Sequence, residues 1–304
     1  MVDLMAKKII VTGGSGFIGS RVCEVLVGMG NEVRNVDLSP PTHGEKGGFV
    51  HGDIRKLEDL KKAFAGFDAV VHLAAQVDVQ SSIAHPAHDF EINAIGTLNV
   101  LEACRASGIR KVAYASSAAV YGDVKNVPVG EEDAVAPLSP YGKSKLHGES
   151  DVLRFGKEYG MENCALRLFN VYGKRQKKGS AYSGVITKFA EALFSGAEPK
   201  IYGDGKQTRD FVHVDDVARA FALALGCNGC ESAINIGSGR EISILQLWET
   251  MCEIAGKKIT PEFLPANEGD IARSVADISL AKKKLGFEPK VLMEEGLKGL
   301  LSEN

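Results

Sequence analysis

Three side chains of this sequence have the types and the spacing needed to move a proton to or from an alcohol. Tyr141 and Lys145 are four residues apart, and Ser117 ends an apolar run earlier in the chain. Residues four apart share one face of a helix, so the ammonium group of Lys145 would lie beside the phenol of Tyr141. A phenol has an ordinary pKa of about 10, and a nearby positive charge favours its phenolate form. We therefore expect Tyr141 to act as a base toward a substrate hydroxyl, with Ser117 holding the same oxygen.

Glycines spaced three residues apart form a second candidate site near the start of the chain. Gly13, Gly16 and Gly19 follow an apolar run at residues 9–11 and open a predicted helix. Glycine lets the backbone approach a pyrophosphate closely, and the helix N-terminus offers free N–H groups and a positive dipole. Asp37 ends the second predicted strand, where a carboxylate can bind ribose hydroxyls and repel a 2′-phosphate. The pattern predicts a site for NAD rather than NADP, with a tight turn that binds no ligand as the alternative.

The elements that would position these residues alternate between strands and helices. Apolar runs predict strands at residues 9–11, 32–36, 69–73, 112–116 and 164–168, and amphipathic stretches predict helices at 17–29, 91–107 and 141–159. Such alternation is typical of βαβ units in a parallel sheet. We predict an α/β fold, a Rossmann-like doubly wound parallel sheet with a smaller, interleaved α/β substrate lobe. The nucleotide-binding domain would span 1–168, with 210–240 returning to it, and the substrate lobe 169–209 and 241–304.

Composition argues against several classes of partner. Hydrophobic residues make up 44% and charged residues 25% of the 304 residues, as is usual for a globular protein. The formal net charge of −3 gives no electrostatic reason to expect nucleic acid or an anionic membrane as a partner. No apolar run approaches the length of a membrane span, and the first strand begins too early to leave room for a signal peptide. We therefore expect a cytoplasmic protein.

Six cysteines are scattered through the chain, which does not suggest a disulfide scaffold. Cys227 and Cys230 have C-x-x-C spacing. No second cysteine pair or histidine pair completes a zinc site, so we predict no bound metal. A turn built on Asn228 and Gly229 is the favoured interpretation, and a redox role is the alternative.

The glycine spacing and three longer motifs resemble the short-chain dehydrogenase/reductase superfamily. The chain carries A-S-S-A-A-V-Y-G at residues 115–122, R-L-F-N-V-Y-G at 167–173 and R-D-F-V-H-V-D-D at 209–216. These motifs are similar to those of its extended, sugar-nucleotide branch, the NAD-dependent epimerase/dehydratase family. The resemblance covers essentially the whole chain and is closest to UDP-glucose 4-epimerase-like proteins.

This resemblance implies NAD as the cofactor and gives Ser117, Tyr141 and Lys145 the catalytic roles. The implied NAD-binding residues follow the strands of the predicted sheet or lie on the catalytic helix. They are Gly13, Gly16, Phe17, Ile18, Asp37, Asp53, Ile54, Leu73, Ala74, Ala75, Gln76, Asn93, Tyr141, Lys145 and Phe169.

The resemblance also implies a site for a UDP-hexose. Its residues would be Ser117, Asn170, Val185, Tyr202, Arg209, Arg273 and Ser274. Asn170 and Arg209 would contact phosphate, for which the forked guanidinium is well suited, and Val185 and Tyr202 would flank the uracil or the nearby sugar. Taken singly, Tyr202 could instead belong to the core, and Arg209 could pair with Asp210 or Asp215.

The reaction type follows from two alanines. In sugar-nucleotide dehydratases, which the chain resembles, an Asp-Glu pair after the catalytic Ser/Thr supplies acid and base, and decarboxylating relatives carry a Glu there. Ala118 and Ala119 occupy those places and cannot transfer protons. The resemblance therefore implies simple oxidation and re-reduction: C4 epimerisation of a UDP-hexose through a 4-keto sugar, with NAD regenerated in each turnover and kept bound.

Two positions depart from the family pattern. Asn267, just before E-G-D at 268–270, stands where members often have a phosphate-binding Arg, and Arg273 is the candidate substitute. Ser274 stands where epimerases restricted to simple hexoses resemble one another in having a bulky Tyr. The small side chain would leave room for an N-acetyl group, so UDP-GlcNAc and UDP-GalNAc are expected substrates beside UDP-glucose and UDP-galactose.

The sequence also leads to expectations about the oligomeric state and about alternative functions. In the family the helices that match 91–107 and 141–159 pair across a two-fold axis, which implies a homodimer. Another NAD-dependent nucleotide-sugar enzyme, such as a uronate epimerase or a reductase, is the main alternative. A redox-sensing NAD-binding protein or a structural nucleotide-binding module would be expected to lose Tyr141 or Lys145, and this chain keeps both.

Overall fold

Strands and helices alternate through the first half of the chain in the computed structural model, which describes residues 7–42, 47–176, 184–228, 230, 232–266 and 271–302. The strands are β1 (Lys8–Thr12), β2 (Glu32–Asp37), β3 (Gly48–His51), β4 (Ala69–His72), β5 (Lys111–Ser117), β6 (Glu162–Leu168), β7 (Asn170–Tyr172), β8 (Lys200–Tyr202), β9 (Thr208–His213), β10 (Ala233–Ile236), β11 (Glu241–Ser243), β12 (Glu262–Leu264) and β13 (Arg273–Ser274). The α-helices are α1 (Phe17–Gly28), α2 (Leu57–Phe64), α3 (Val79–Ala84), α4 (Pro86–Phe90), α5 (Gly96–Ala106), α6 (Pro140–Tyr159), α7 (Val185–Ser195), α8 (Val214–Gly226), α9 (Ile244–Ala255), α10 (Ser279–Leu285) and α11 (Met293–Leu301).

Seven parallel strands form the central sheet, in the order β10-β6-β5-β4-β1-β2-β3. Its central strands are short apolar runs, such as Ile9 to Val11, whose side chains are fully buried because helices cover both faces. The strand order reverses at β1, which lies between β2 and β4. In doubly wound sheets ligands bind in the crevice at this reversal, at the carboxyl ends of the strands. The predicted fold class is confirmed.

Two apolar layers hold helices against the sheet. On one face α1, α8 and α10 contribute Leu26, Phe221 and Leu285 to a single buried cluster. On the other face α2, α5 and α6 contribute residues such as Phe64 and Phe155 to a second cluster. Helix α6 contributes Val152 and Phe155 to this cluster, so core packing fixes it against the sheet.

A smaller lobe contains two small sheets. One consists of β7, β9, β11 and β13, and the other of β8 and β12. Helices α7, α9 and α11 pack around Trp248, Phe189 and Leu297 in a separate apolar cluster. Within residues 210–240, β10 joins the central sheet, whereas β9 pairs only with strands of the smaller sheet.

The predicted helix at 91–107 differs from the structure at its start. Residues Glu91–Ile95 form a turn of π-helix, and the α-helix α5 begins only at Gly96. A π turn widens the backbone and is often found at functional sites. Here it carries Asn93, whose side chain bonds to the loop after β4 rather than facing solvent.

Two kinds of feature are absent from the described residues. No helix among them is both long and apolar enough to cross a membrane. The same residues contain no cluster of three or more His, Cys, Asp or Glu side chains arranged to hold a metal ion.

Candidate active site

The glycine-rich turn between β1 and α1 has two glycines that the fold itself requires. Gly13 has a positive φ of +73°, and a Cβ there would lie 2.7 Å from the backbone nitrogen of Ala74. A Cβ on Gly19 would lie 2.0 Å from the carbonyl oxygen of Gly13. Gly16 is the N-cap of α1, and no side chain caps that helix. The N–H groups of the first turn therefore face the crevice without a side-chain partner, as an anion site requires.

Asp37 connects the end of β2 to this turn. Its Oδ2 accepts a hydrogen bond from the backbone N–H of Ser15 (3.0 Å), and Oδ1 accepts one from the backbone N–H of Ser39 (3.2 Å). The Ser15 hydroxyl in turn accepts from the side chain of Asn35 (2.9 Å). A carboxylate has lone pairs for about four hydrogen bonds, so Asp37 can still accept from a pair of ribose hydroxyls. The turn and Asp37 together fit the pyrophosphate and adenosine ribose of NAD.

One cavity of about 690 Å³ brings together most of the predicted cofactor and catalytic residues. This volume lies within the usual range for ligand sites. The predicted residues on its walls are Gly13, Gly16, Phe17, Ile18, Asp37, Asp53, Ile54, Leu73, Ala74, Ala75, Ser117, Tyr141, Lys145 and Phe169. Asp53 is already paired with Arg55 (2.6 Å), whose hydrogen bonds hold the pKa of Asp53 below its usual value.

Gln76 and Asn93 are not among the residues lining this cavity. Asn93 is buried behind it, where it accepts from the backbone N–H of Gln76 (2.9 Å) and donates to the Gln76 carbonyl oxygen (2.9 Å). The pair of bonds fixes the loop that follows β4. Asn93 therefore holds the cavity wall from behind and does not itself line the cavity.

The three proton-transfer residues meet where β5 ends and α6 begins. Ser117 is the last residue of β5, and Tyr141 is the second residue of α6, whose N-cap Ser139 accepts from the N–H of Gly142. Burial raises the pKa of Tyr141, and a hydrogen bond with Ser117 offsets part of that rise. The Lys145 ammonium group lies 4.4 Å from the centre of the Tyr114 ring.

The electrostatics of the protein alone differ from the sequence-based expectation. Burial lowers the pKa of Lys145 to about 7, while Asp89 and Glu149 pull in the opposite direction. Lys145 is therefore only partly charged at neutral pH and does not by itself produce a phenolate at Tyr141. A cationic ligand beside the phenol would lower the pKa of Tyr141, so the base is best formed with the cofactor bound.

This burial predicts a pH dependence of stability. The cost of burying protonated Lys145 is fully present below about pH 7, and it shrinks as the pH rises toward 10.5, because only the unfolded chain binds the proton in that interval. We compare the free energy of unfolding of the nucleotide-free parent protein with that of a Lys145→Met variant. The parent value minus the variant value should rise by up to about 1.4 kcal/mol per pH unit above about pH 7. Urea titrations at a series of pH values measure this difference. A constant difference above pH 7 would show that Lys145 has an ordinary pKa.

Asp89 is a buried carboxylate behind the catalytic helix that the sequence did not indicate. It is 1% exposed and accepts hydrogen bonds from Ser144 (2.5 Å), Asn93 (3.1 Å) and Gln76 (3.1 Å). Burial raises its pKa, and its charge in turn raises the pKa of Lys145. No spacing rule relates Asp89 to Lys145, because tertiary packing of α4 against α6 brings them together.

A second cavity of about 350 Å³ lies next to the first. Its walls include four of the predicted substrate residues, Asn170, Val185, Tyr202 and Arg209. Tyr202 is 41% exposed, so it is not a core residue. Asp215, which the sequence offered as a possible partner for Arg209, forms an ion pair with Arg21 (2.6 Å). Arg209 donates to the carbonyl oxygens of Thr208 (2.8 Å) and Ile271 (2.6 Å), which places its guanidinium at the cavity wall.

Arg273 and Ser274 are not on the walls of either cavity. Arg273 is exposed and forms an ion pair with Glu241. Ser274 lies in β13 beside Arg209 of β9. Asn267 and residues 268–270, where the sequence departs from the family pattern, lie outside the described residues. Among those that are described, nothing places Arg273 as the substitute phosphate ligand.

Gln176 lies where the two cavities join and was not predicted. It lines both of them, together with Val171 and Gly184. Its Oε1 atom is buried and has no hydrogen-bond partner among the described residues. A buried acceptor without a donor carries a desolvation cost, which a ligand O–H or N–H group would offset. Only a three-dimensional view of the loop after β7 reveals this residue.

The chain is similar over almost its whole length to known nucleotide-sugar epimerases. Residues 9–237 match the NAD dependent epimerase/dehydratase family. The chain is 37% identical over 302 residues to the UDP-glucose 4-epimerase of Mycolicibacterium smegmatis, with 95% of this chain and 96% of that protein covered. The structure of Thermotoga maritima UDP-glucose 4-epimerase with UDP-glucose matches with a TM-score of 0.92 at 39% identity, covering 97% of each chain. That of Methanobrevibacter ruminantium UDP-N-acetylglucosamine 4-epimerase, in complex with UDP-N-acetylmuramic acid, matches with a TM-score of 0.91 at 36% identity and the same coverage.

Proposed function

The chain belongs to the NAD-dependent epimerase/dehydratase family, and from that premise we propose that it is a UDP-sugar 4-epimerase. The observation that carries this proposal is the placement of Tyr141, Ser117 and Lys145. They line the cavity that fits NAD, and a second cavity with Asn170 and Arg209 on its walls lies next to it. A dinucleotide and a nucleotide sugar can therefore meet at one acid–base group.

The chain's own residues fit NAD. The N-terminus of α1 would take the pyrophosphate, and Asp37 would bind the adenosine ribose. Leu38 stands where a basic residue would favour a 2′-phosphate, so NAD is preferred over NADP. When bound, NAD would accept a hydride from C4 of the sugar and return it.

Tyr141 and Ser117 would control the proton in both directions. Tyr141 takes the proton of the C4 hydroxyl, while Ser117 holds the oxygen through its hydrogen bond. The Lys145 ammonium stabilises the phenolate, and Asp89 behind the helix favours the charged form of Lys145. After the sugar presents its other face, Tyr141 gives the proton back. The groups needed for water loss are missing at Ala118 and Ala119, which begin a short 3₁₀ turn after Ser117.

For the substrate we propose UDP-glucose and UDP-galactose, together with their N-acetylated counterparts. The first pair rests on the similarity to an epimerase bound to UDP-glucose, and the second on the similarity to a UDP-N-acetylglucosamine 4-epimerase. The small Ser274 is compatible with both pairs, although it does not line the described cavity walls. Incubation of purified protein with each UDP-sugar, followed by separation of the C4 epimers, tests the assignment. A reductase would instead consume added NADH in proportion to product.

Gln176 provides a test of the sugar site. Replacing it with leucine removes an acceptor that a sugar hydroxyl or amide would use, so KM should rise about tenfold, the equivalent of one hydrogen bond. The content of bound NAD should stay unchanged. Gln176→Asn is the matched control because it keeps a neutral amide acceptor, one methylene shorter, and its KM should rise less. Equal KM values for the leucine variant and the parent would remove Gln176 from the site.

We also propose a homodimer formed through α5 and α6. These helices pack together, and apolar side chains at their ends are exposed: 43% for Ile95 before α5 and 47% for Tyr159 at the end of α6. Phe90, before the π turn, is also 40% exposed. Light scattering at micromolar concentration should give the mass of two chains, and Ile95→Glu should shift it toward one. A monomeric parent protein would contradict this assembly.

A further inference from the structure

Three cysteines that the epimerase reaction does not use lie together at one edge of the central sheet. Cys164 is in β6, Cys230 comes just before β10, and Cys227 follows α8. The Sγ atoms of Cys230 and Cys164 are 3.3 Å apart, and both side chains are buried. Cys227 is partly exposed, and its Sγ lies 3.4 Å from the carbonyl oxygen of Lys284.

The backbone beside Cys164 and Cys230 is already fixed by the sheet. Ala165 pairs with Ala233 in the parallel ladder, and the N–H of Ala165 donates to the Ser232 carbonyl oxygen (3.1 Å). The N–H of Ser232 donates to the Cys230 carbonyl oxygen (2.9 Å). A disulfide needs sulfur atoms about 2.05 Å apart on neighbouring chain segments. The two sulfur atoms, 3.3 Å apart, must approach by about 1.2 Å to reach this distance, and the ladder holds the segments that carry them side by side.

The surroundings of the pair give its two members different chemistry. A hydrogen bond from Cys164 lowers the pKa of Cys230 to about 7, with help from Cys227, Lys284 and Lys111, against the opposing effect of burial. The pKa of Cys164 is raised, first by its hydrogen bond with Cys230 and then by burial. Cys230 is therefore the member of the pair that loses its proton more readily, and Cys164 is the member that stays a thiol. The thiolate is the nucleophilic form of cysteine.

We propose that Cys230 and Cys164 form a peroxide-sensitive dithiol site, separate from the nucleotide-sugar site. The Cys230 thiolate attacks one oxygen of hydrogen peroxide and the O–O bond breaks. Cys230 becomes a sulfenic acid, and hydroxide is released. Cys164 then loses its proton, its sulfur attacks the Cys230 sulfur, and water leaves. In total two thiols and one peroxide give one disulfide and two waters. Of the three cysteines, Cys227 is the one that is partly exposed to solvent.

The location of the pair separates it from the epimerase chemistry. Cys164 lies near the N-terminal end of β6, whereas the catalytic cleft lies at the carboxyl ends of the strands. Neither cysteine lines the two cavities described above. The disulfide would tie β6 to the segment that enters β10, so it should raise the thermal unfolding midpoint and leave epimerase activity in place.

Peptide mapping tests the proposal on the intact NAD-bound protein. The protein is treated with hydrogen peroxide at neutral pH, its free thiols are alkylated, and it is digested with trypsin without reduction. Cys164 falls in the fragment 158–167, and Cys227 and Cys230 share the fragment 220–240. The expected product is these two peptides joined by one disulfide. Tandem mass spectrometry should locate that disulfide at Cys230 rather than at Cys227. A disulfide within 220–240 alone, or alkylation of all three cysteines, would overturn the proposal.

Single serine variants sharpen the assignment. Cys227→Ser should leave the cross-link intact, whereas Cys230→Ser should abolish it and leave Cys164 free for alkylation. Loss of the cross-link in Cys227→Ser would mean that the surface cysteine is the reacting group and that the proposed pair is wrong. Because the map of the parent protein needs no substitution, a variant that fails to fold does not remove the test.

Discussion

Replacing Tyr141 with phenylalanine should lower kcat for epimerisation by about a thousandfold, the usual contribution of a positioned acid–base group. The ring keeps its packing, and only the hydroxyl that hydrogen-bonds with Ser117 is lost. The glycine turn and Asp37, which would hold NAD, are untouched. The variant should therefore copurify with the same amount of NAD as the parent protein. Initial rates with a UDP-sugar and the NAD content of denatured protein measure the two quantities.

Tyr159→Phe is the matched control for this prediction. Tyr159 is on the same helix, loses the same hydroxyl on substitution, and lies at the far end of α6 with 47% of its side chain exposed. Its kcat should stay within about twofold of the parent value, since Tyr159 lies far from the cavity and the substitution keeps the ring that the proposed dimer face would use. If Tyr141→Phe turned over at the rate of Tyr159→Phe, another group would have to be the base.

Replacing Arg167 with leucine should produce the largest loss of stability. Arg167 and Glu149 form a buried ion pair, with Nη2 to Oε1 at 2.7 Å and side chains only 7% and 4% exposed. Arg167 also donates to the Tyr121 hydroxyl (2.8 Å), and Glu149 accepts from Ser116 (2.6 Å). Removing one partner leaves an uncompensated buried charge, which costs about 3–5 kcal/mol. Chemical denaturation of the NAD-bound protein measures the change.

Two further variants separate the loss of the ion pair from the loss of an arginine. Arg154→Leu breaks an exposed pair with Asp151 on the same helix, and it should cost less than about 1 kcal/mol. Glu149→Leu combined with Arg167→Leu removes both buried charges and should recover part of the stability. A loss in Arg167→Leu no larger than in Arg154→Leu would contradict the buried-pair account.

The sequence predicted the parts of the site that depend on local geometry. Gly13 and Gly16 lie in the turn after β1 and Asp37 ends β2, and the predicted roles of all three follow from what a tight βα turn allows. Tyr141 and Lys145 are related by one helical turn, so their juxtaposition follows from spacing alone. Parallel strands bring these local motifs to one edge of the sheet, which is why the fold class was also predictable.

Features that depend on tertiary packing could not be predicted in this way. Asp89 reaches the back of the catalytic helix only because α4 packs on α6, and Gln176 joins the cavities only through the course of its loop. Arg273, the predicted substitute phosphate ligand, forms an exposed ion pair with Glu241 outside both cavities, a contact that residue spacing does not reveal. The lowered pKa of Lys145 reflects burial, which residue spacing does not reveal.

The central claim is that the chain interconverts C4 epimers of a UDP-sugar with NAD that it keeps. The most direct measurement is incubation of the purified protein with UDP-galactose, without added NAD or reductant, while nucleotide-sugar products and reduced nicotinamide are both followed. We predict conversion to an equilibrium mixture with UDP-glucose, over many turnovers per protein, with no net change in reduced nicotinamide. The same experiment with UDP-N-acetylgalactosamine tests the wider substrate range. An oxidised or reduced sugar product formed with stoichiometric change of the nicotinamide would contradict the epimerase account.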